Sequence, residues 1–384
     1  MNLEIYVSNR CNFGCHYCCV TTNSGPSARI SAQKAIRGID QFLASTADGG
    51  GASGNQIYFL GGEPMLDFPV IRAAVQHLRA VHKTIGARVY TNGSLLTPAN
   101  VAFLHEHAVQ IWISLDGAEK TNDRHRTVYG KPGNSAYQAV ISRLKDLDTG
   151  KLALNVVVHP DTAATLVADL KEFAALGIGR VNIQPELYAR WTSAQLRGLY
   201  LALSNLRRYY SAFIRRHRRL PFVIPILFSV LDDFSRLGEN ITPWWNDCQN
   251  VVLGSDGRYY LCERLLSSEY RELDEYAIGD VEVGLDVEKK EKWMEEARRY
   301  LYARGEKSRE HYHCPKGDYL YSRMKGEEPG AMLDNTFGVS RAFCRSFLAL
   351  ARDLEHEPIF RSVYIEKKKG GAADEGRPER LRYS

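Results

Sequence analysis

Between residues 2 and about 186 the chain alternates short apolar runs with amphipathic stretches, and this alternation constrains the fold more than any other feature. The runs "LEIYVS" (3–8), "QIYFL" (56–60), "ARVYT" (87–91), "VQIWISL" (109–115), "LALNVVV" (152–158) and "RVNIQ" (180–184) have strand length and composition. The intervening "SAQKAIRGIDQFLAS", "FPVIRAAVQHLRAVHK", "TPANVAFLHEH", "SAYQAVISRLKDL" and "TAATLVADLKEFAAL" have helical periodicity, several opening on a Ser or Thr suited to N-capping. Strand and helix in repeated alternation give a parallel sheet built from right-handed crossovers. The expected fold class is therefore α/β, a partial (β/α)6 TIM-like barrel. In such barrels chemistry collects at the C-terminal strand ends. Here "CNFGCHYCC" follows the first strand, "GGEP" the second, "TNG" the third and "DG" the fourth.

After residue 190 the pattern changes. A helical stretch (192–217) and the apolar "PILFSVLDDFSRLG" lead to "CQNVVLGSDGRYYLCERLL", which predicts a hairpin with a cysteine at each end. The expected organisation is a barrel core (1–190), a helical connection (191–240), a smaller α+β cysteine-bearing domain (241–360) and a charged, glycine-rich tail (361–384) expected to be disordered.

Composition sets the compartment. Among 384 residues, 44% are hydrophobic and 25% charged, with no long apolar run and no apolar core of a signal peptide at the start. A cytoplasmic protein that spans no membrane is expected, with reduced thiols, so its eight cysteines read as metal ligands rather than disulfides. "LRRYYSAFIRRHRRLPF" (206–222) gathers six arginines on one predicted helix. With a net charge of only +5, this reads as a solvated helix end, and a nucleic-acid partner is not expected.

Cys11, Cys15 and Cys18 follow C-x3-C-x2-C spacing. Structural zinc wants four protein ligands, commonly as two pairs, and the chain has no matching second pair. Three close thiolates suit three irons of a [4Fe–4S] cluster, leaving the fourth iron open. Gly14 allows the tight turn, and Cys19 reads as a small apolar neighbour.

With "CNFGCHYC", "GGEP" (61–64), "TNG" (91–93) and "ISLDGAEKTNDRHR" (113–126) in this order, each after a predicted strand, the chain resembles the radical S-adenosylmethionine (radical SAM) enzymes. The resemblance implies that the open iron chelates S-adenosylmethionine and that one electron releases a 5′-deoxyadenosyl radical. It implies cofactor roles for Tyr17 (backbone near the adenine), Gly61, Gly62, Glu63 and Pro64 (the methionine-binding segment, with Glu63 accepting from the ammonium group), Asn92, Ser114 and Arg126 (carboxylate) and Asp116 (ribose). A flavodoxin- or ferredoxin-type electron donor goes with it.

"CQNVVLGSDGRYYLC", "YAIGDVE" (276–282) and "HCPKG" (313–317) are similar to the auxiliary-cluster extension called SPASM, or its shorter twitch form. Its dense cysteine cluster is absent, so one auxiliary iron–sulfur cluster, a [4Fe–4S], is expected on Cys248, Cys262 and Cys314, with Cys344 as fourth ligand or an open iron. Structural zinc on the same four residues is the alternative. Glu263, following Cys262, stands where sulfatase-maturing members carry an aspartate that is a candidate base. Gln184 and Glu186 face the expected substrate space. The implied activity is oxidation or cross-linking of a peptide or protein, as in maturases. The alternatives are a small-molecule (sugar or aminocyclitol) dehydrogenase and a non-catalytic electron-transfer protein. As the barrel begins at residue 3, no leader-peptide-binding domain is expected before it.

Overall fold

The computed structural model describes residues 2–18, 28–47, 55–227, 250–266, 274–305, 315–354 and 356–362. The six expected strands are present and parallel: β1 (Asn2–Tyr6), β2 (Gln56–Leu60), β3 (Gly86–Thr91), β4 (Val109–Ser114), β5 (Ala153–Val158) and β6 (Arg180–Pro185). Helices α1 (Ala32–Ala47), α2 (Phe68–Val81), α3 (Pro98–Glu106), α4 (Glu119–Asn122), α5 (Ala136–Leu144) and α6 (Leu166–Ala175) connect them. Capping follows the sequence in most places. Thr97 caps α3 through a box with Asn100, and Ser135 caps α5 by accepting from the Gln138 N–H. Thr162 caps nothing with its side chain, because a 3₁₀ turn at Ala163–Thr165 precedes α6.

Strand periodicity of two sorts each strand into two faces. Leu3, Ile5, Ile57, Phe59, Val89 and Ile111 lie almost wholly buried in one apolar core with helix residues such as Ile71 and Leu78. Burying each side chain of this kind contributes about 1.5–3 kcal/mol. The alternate set, including Glu4, Tyr6, Tyr58, Tyr90, Asn155 and Gln184, lines the barrel's interior cavity. These positions are polar or aromatic, so the barrel encloses a site rather than a packed core.

The hairpin at the start of the expected second domain is hydrogen-bonded to the barrel. Its strands β7 (Val251–Leu253) and β8 (Tyr259–Tyr260) pair antiparallel, and β7 lies parallel to β1, with Leu3 opposite Val251 and Ile5 opposite Leu253. The sheet order becomes β6-β5-β4-β3-β2-β1-β7-β8. A partial barrel leaves β1 with unpaired backbone groups, and β7 satisfies them.

Beyond β6, α7 (Ser193–His217) is capped by Thr192 and matches the expected helix. Two short strands, β9 (Gly279–Asp280) and β10 (Gly284–Leu285), are followed by α8 (Val287–Ala303), α9 (Pro315–Met324) and α10 (Gly330–Leu354). Helix α10 packs along α7. Arg207 pairs with Asp353 and Arg215 with Glu357, which accounts for two of the clustered arginines as intramolecular partners. Residues 228–249 and the tail from 363 lie outside the described residues. Among the described residues no helix is long and apolar enough to cross a membrane.

Candidate active site

The cysteine loop is held open from beneath. The Gly14 and His16 N–H groups donate to the carbonyls of Thr127 and His125, the Tyr129 N–H to Asn12, and the Thr127 hydroxyl to Gly14. The 125–129 strap is thus zipped against the loop, while Phe13, buried, anchors it to the core. Asn92, after β3, donates to the Asn12 side chain (2.8 Å) and toward Cys11 Sγ (3.9 Å). Burial pushes the thiols up, to about 12 at Cys11 and about 11 at Cys15. Thiolates in this loop therefore need a bound cation, which a metal cluster supplies.

The "GGEP" segment lies against the chain that leads into the cysteine loop. Gly61 sits at φ +140°, where a Cβ would come within 2.5 Å of the Ser8 carbonyl oxygen, and a Cβ on Gly62 would meet the Arg10 carbonyl oxygen at 2.2 Å. The two glycines let this segment lie directly on residues 8–10, with Gly62 N–H bonded to Ser8 and Glu63 N–H to Arg10. Both also line the cavity, but the close approach is to the chain that leads into the cysteine loop. Pro64 starts a 3₁₀ turn that Glu63 caps.

Glu63 is fully buried. Its Oε1 accepts from the Met65 N–H (3.0 Å) and Thr91 hydroxyl (2.6 Å), and its Oε2 from the Asn92 N–H (2.7 Å). These bonds make it a brace between the turns after β2 and β3. Burial raises its carboxyl from the ordinary 4.5 to about 7, against the lowering effect of those three bonds. Between these values the folded state holds a proton that the unfolded chain has lost, so this group's contribution to stability falls as pH rises from about 4.5 to about 7. Glu63→Ala is expected to remove that slope. It should also cost about 3 kcal/mol, because three buried donors lose their acceptor. Unfolding measured without S-adenosylmethionine checks this; an unchanged melting temperature with weakened cofactor binding would make Glu63 a ligand instead.

Asp116, expected at a ribose, is likewise committed within the protein. It accepts from Arg126 Nε (2.9 Å) and Nη2 (3.0 Å), from the Val157 N–H (3.0 Å) and from the Tyr17 hydroxyl. The ion pair is buried, with the side chains 5% and 7% exposed. Arg126 Nη1 points toward Cys15 Sγ (4.0 Å) and the residue lines the cavity, so it is the guanidinium at the cysteine loop. Ser114 and Tyr17 line the cavity as well.

The profile of the Radical SAM superfamily matches residues 5–173. The barrel is a radical SAM domain. The chain is similar to the serine-type anaerobic sulfatase-maturating enzyme of Klebsiella pneumoniae (28% identical over 283 residues, 70% of each chain). It is also similar to GTP 3′,8-cyclase of Xanthomonas campestris pv. campestris strain B100 (26% over 325 residues, 80% of this chain and 91% of that one). Among solved structures it shares the fold of native anSMEcpe with bound AdoMet (TM-score 0.66, 18% identity, 95% of this chain and 100% of that one). The radical SAM family implies a [4Fe–4S] cluster and S-adenosylmethionine, and three thiols lining one cavity, Cys11 and Cys15 desolvated and Cys18 exposed, beside an Arg126 guanidinium are a donor set that fits them.

The radical SAM cavity measures about 630 Å³ and runs from the cysteine loop to Glu263. Sequence reasoning named Gln184, Glu186 and Glu263, all of which line it, and missed Glu4, Tyr6, Tyr58 and Asn155. Their signal was the polar half of each strand's two-residue period. Burial raises the Glu263 carboxyl, against the lowering effect of a side-chain hydrogen bond with Glu4. Nearby, Arg264 pairs with Asp318 (2.8 Å) and is sandwiched between Tyr188 (3.5 Å to the ring centre) and Tyr321 (4.0 Å). This knot ties the Tyr188 wall of the cavity to α9.

Of the auxiliary ligands, Cys248 and Cys314 lie outside the described residues. Cys262 Sγ abuts Gly317 of α9, where a Cβ would come within 2.8 Å. Cys344, half-buried, lies on α10, whose Met332 Sδ is 3.5 Å from Arg264 Nη1.

Proposed function

We propose that this protein is a radical SAM maturase that oxidises or cross-links a peptide or protein substrate. The carrying observation is the cavity: it joins the cysteine loop to Glu263 and Glu4, so a substrate bound there lies between the cofactor and a carboxylate pair. When bound, the cluster supplies the electron that cleaves S-adenosylmethionine to methionine and a 5′-deoxyadenosyl radical. The chain's own residues bind, orient and exclude water. Cys11, Cys15 and Cys18 hold the cluster. Arg126 offers Nη1 to a carboxylate, Ser114 and Asn92 present polar groups at the strand ends, and Tyr6, Tyr58 and Tyr90 wall the space. Glu263 is the group we assign to take the substrate proton, on its position in the wall. Cys262, with Cys248 and Cys314, would hold one auxiliary cluster.

The sulfatase-maturating relative supports a peptide substrate. The GTP 3′,8-cyclase relative, which spans more of this chain, keeps a small-molecule substrate as the second reading. The test is anaerobic turnover of reconstituted protein with deuterated serine- or cysteine-containing peptides. Deuterium is expected in 5′-deoxyadenosine together with a peptide lighter by two hydrogens. Glu263→Gln should keep the deuterium transfer and lose most of the oxidised peptide. Deuterium transfer from a sugar or nucleotide and from no peptide would establish the second reading.

A further inference from the structure

On the barrel rim, outside the cavity, His125, His159 and Asp161 bring their ligating atoms within 4.8 Å of one another. His125 lies in the strap that holds the cysteine loop, and His159 and Asp161 lie in the turn after β5. The two imidazoles pack closely, 3.8 Å between ring centres with their planes tilted by 33°. His125 Nε2 (2.8 Å) and His159 Nδ1 (2.7 Å) converge on the same oxygen, Asp161 Oδ1. Arg124 Nε takes the other oxygen at 2.5 Å. Side-chain exposures of 12%, 23% and 31% make the group accessible but not loose.

We propose that these three side chains form a divalent-metal site of the zinc class, separate from the iron–sulfur chemistry. Two imidazoles and one carboxylate on one face are a donor set for zinc, and less so for magnesium or calcium, which prefer all-oxygen surroundings. The ligands come from two separate segments, so their convergence is tertiary and not a local accident. Burial works against the Asp161 charge, but the hydrogen bonds from both histidines lower its carboxyl to about 2, so it is anionic throughout the neutral range. On metal binding the proton leaves His125 Nε2 and His159 Nδ1: a neutral ring moves it to its other nitrogen, and a charged ring, already protonated there, releases it. Arg124 can remain on Oδ2, orienting the carboxylate from outside. Three protein ligands leave at least one position to solvent.

Such an ion would fasten the strap to the end of β5. Because the strap hydrogen-bonds Gly14 and His16, the site would stiffen the cysteine loop without entering the cavity.

The test uses chelator-washed, anaerobic, iron–sulfur-loaded protein and zinc chloride as probe. Calorimetry is expected to show one saturable equivalent, weakened more than about 100-fold in His159→Ala and in Asp161→Asn, since losing a ligand exceeds the usual outer-shell effect. Zinc should raise the unfolding temperature of the parent and leave that of His159→Ala unmoved. Zinc-edge X-ray absorption on the parent should give nitrogen and oxygen at about 2.0–2.1 Å and no sulfur at about 2.3 Å. Absent saturable binding, parent-level affinity in a variant that retains its iron, or a sulfur shell would each overturn the site. The absorption result needs no variant, so misfolding of one cannot shelter the idea. None of these readouts depends on the proposed substrate.

Discussion

Alanine at Cys15 is expected to reduce 5′-deoxyadenosine formation to background and to remove one cubane's iron, roughly four atoms per chain. The loop's backbone does not depend on the sulfur. Its position is fixed by hydrogen bonds from Gly14 and His16 to the strap and from the Cys18 N–H to the Cys15 carbonyl, all of which the variant keeps. What is lost is one of three thiolates, and two cannot hold a cubane whose fourth iron is already without a protein ligand. The loss should therefore appear in metal and in cofactor cleavage, with the fold intact by circular dichroism. Parent-level 5′-deoxyadenosine from Cys15→Ala would remove this loop from the cofactor site.

Most of the barrel was legible from the sequence, since each strand carries its own apolar run and each crossover its own period. The attachment of β7 to β1 was not. It joins segments about 250 residues apart, and a parallel edge pairing leaves no local signature beyond two apolar runs. In the site, the cysteine spacing was enough to place three thiols together. The acidic residues were harder. Glu63 and Asp116 stand in cofactor motifs, and the partners that the sequence did not reveal are those within the protein: Met65, Thr91 and Asn92 for the first, Arg126, Val157 and Tyr17 for the second. A side chain's type states what it can bind; only the packed structure states which partner reaches it first. Glu4 and Tyr58 were readable in principle, because an acidic or aromatic residue on the second face of a barrel strand must face either solvent or a lumen.

The second large effect is expected at Arg126. A bidentate pair this deeply buried is costly to half-dismantle, because the remaining charge has neither water nor partner. Arg126→Ala should lose about 3–5 kcal/mol, with Asp116 left to the Val157 N–H and the Tyr17 hydroxyl. The same change withdraws the cation nearest Cys15 and the guanidinium 5.3 Å from the Tyr17 ring centre, so cluster retention should fall along with stability. Asp116→Ala should cost a similar amount. The double variant should cost clearly less than the sum of the two, since each single change already strands the other residue. Denaturant unfolding of the four proteins gives the coupling directly, and about 2 kcal/mol or more is expected for charges in direct contact. Additivity within about 0.5 kcal/mol would mean that the pair is not a unit. Asp116 would then be available to the cofactor, and the brace it forms with Arg126 beneath the cysteine loop would carry no weight.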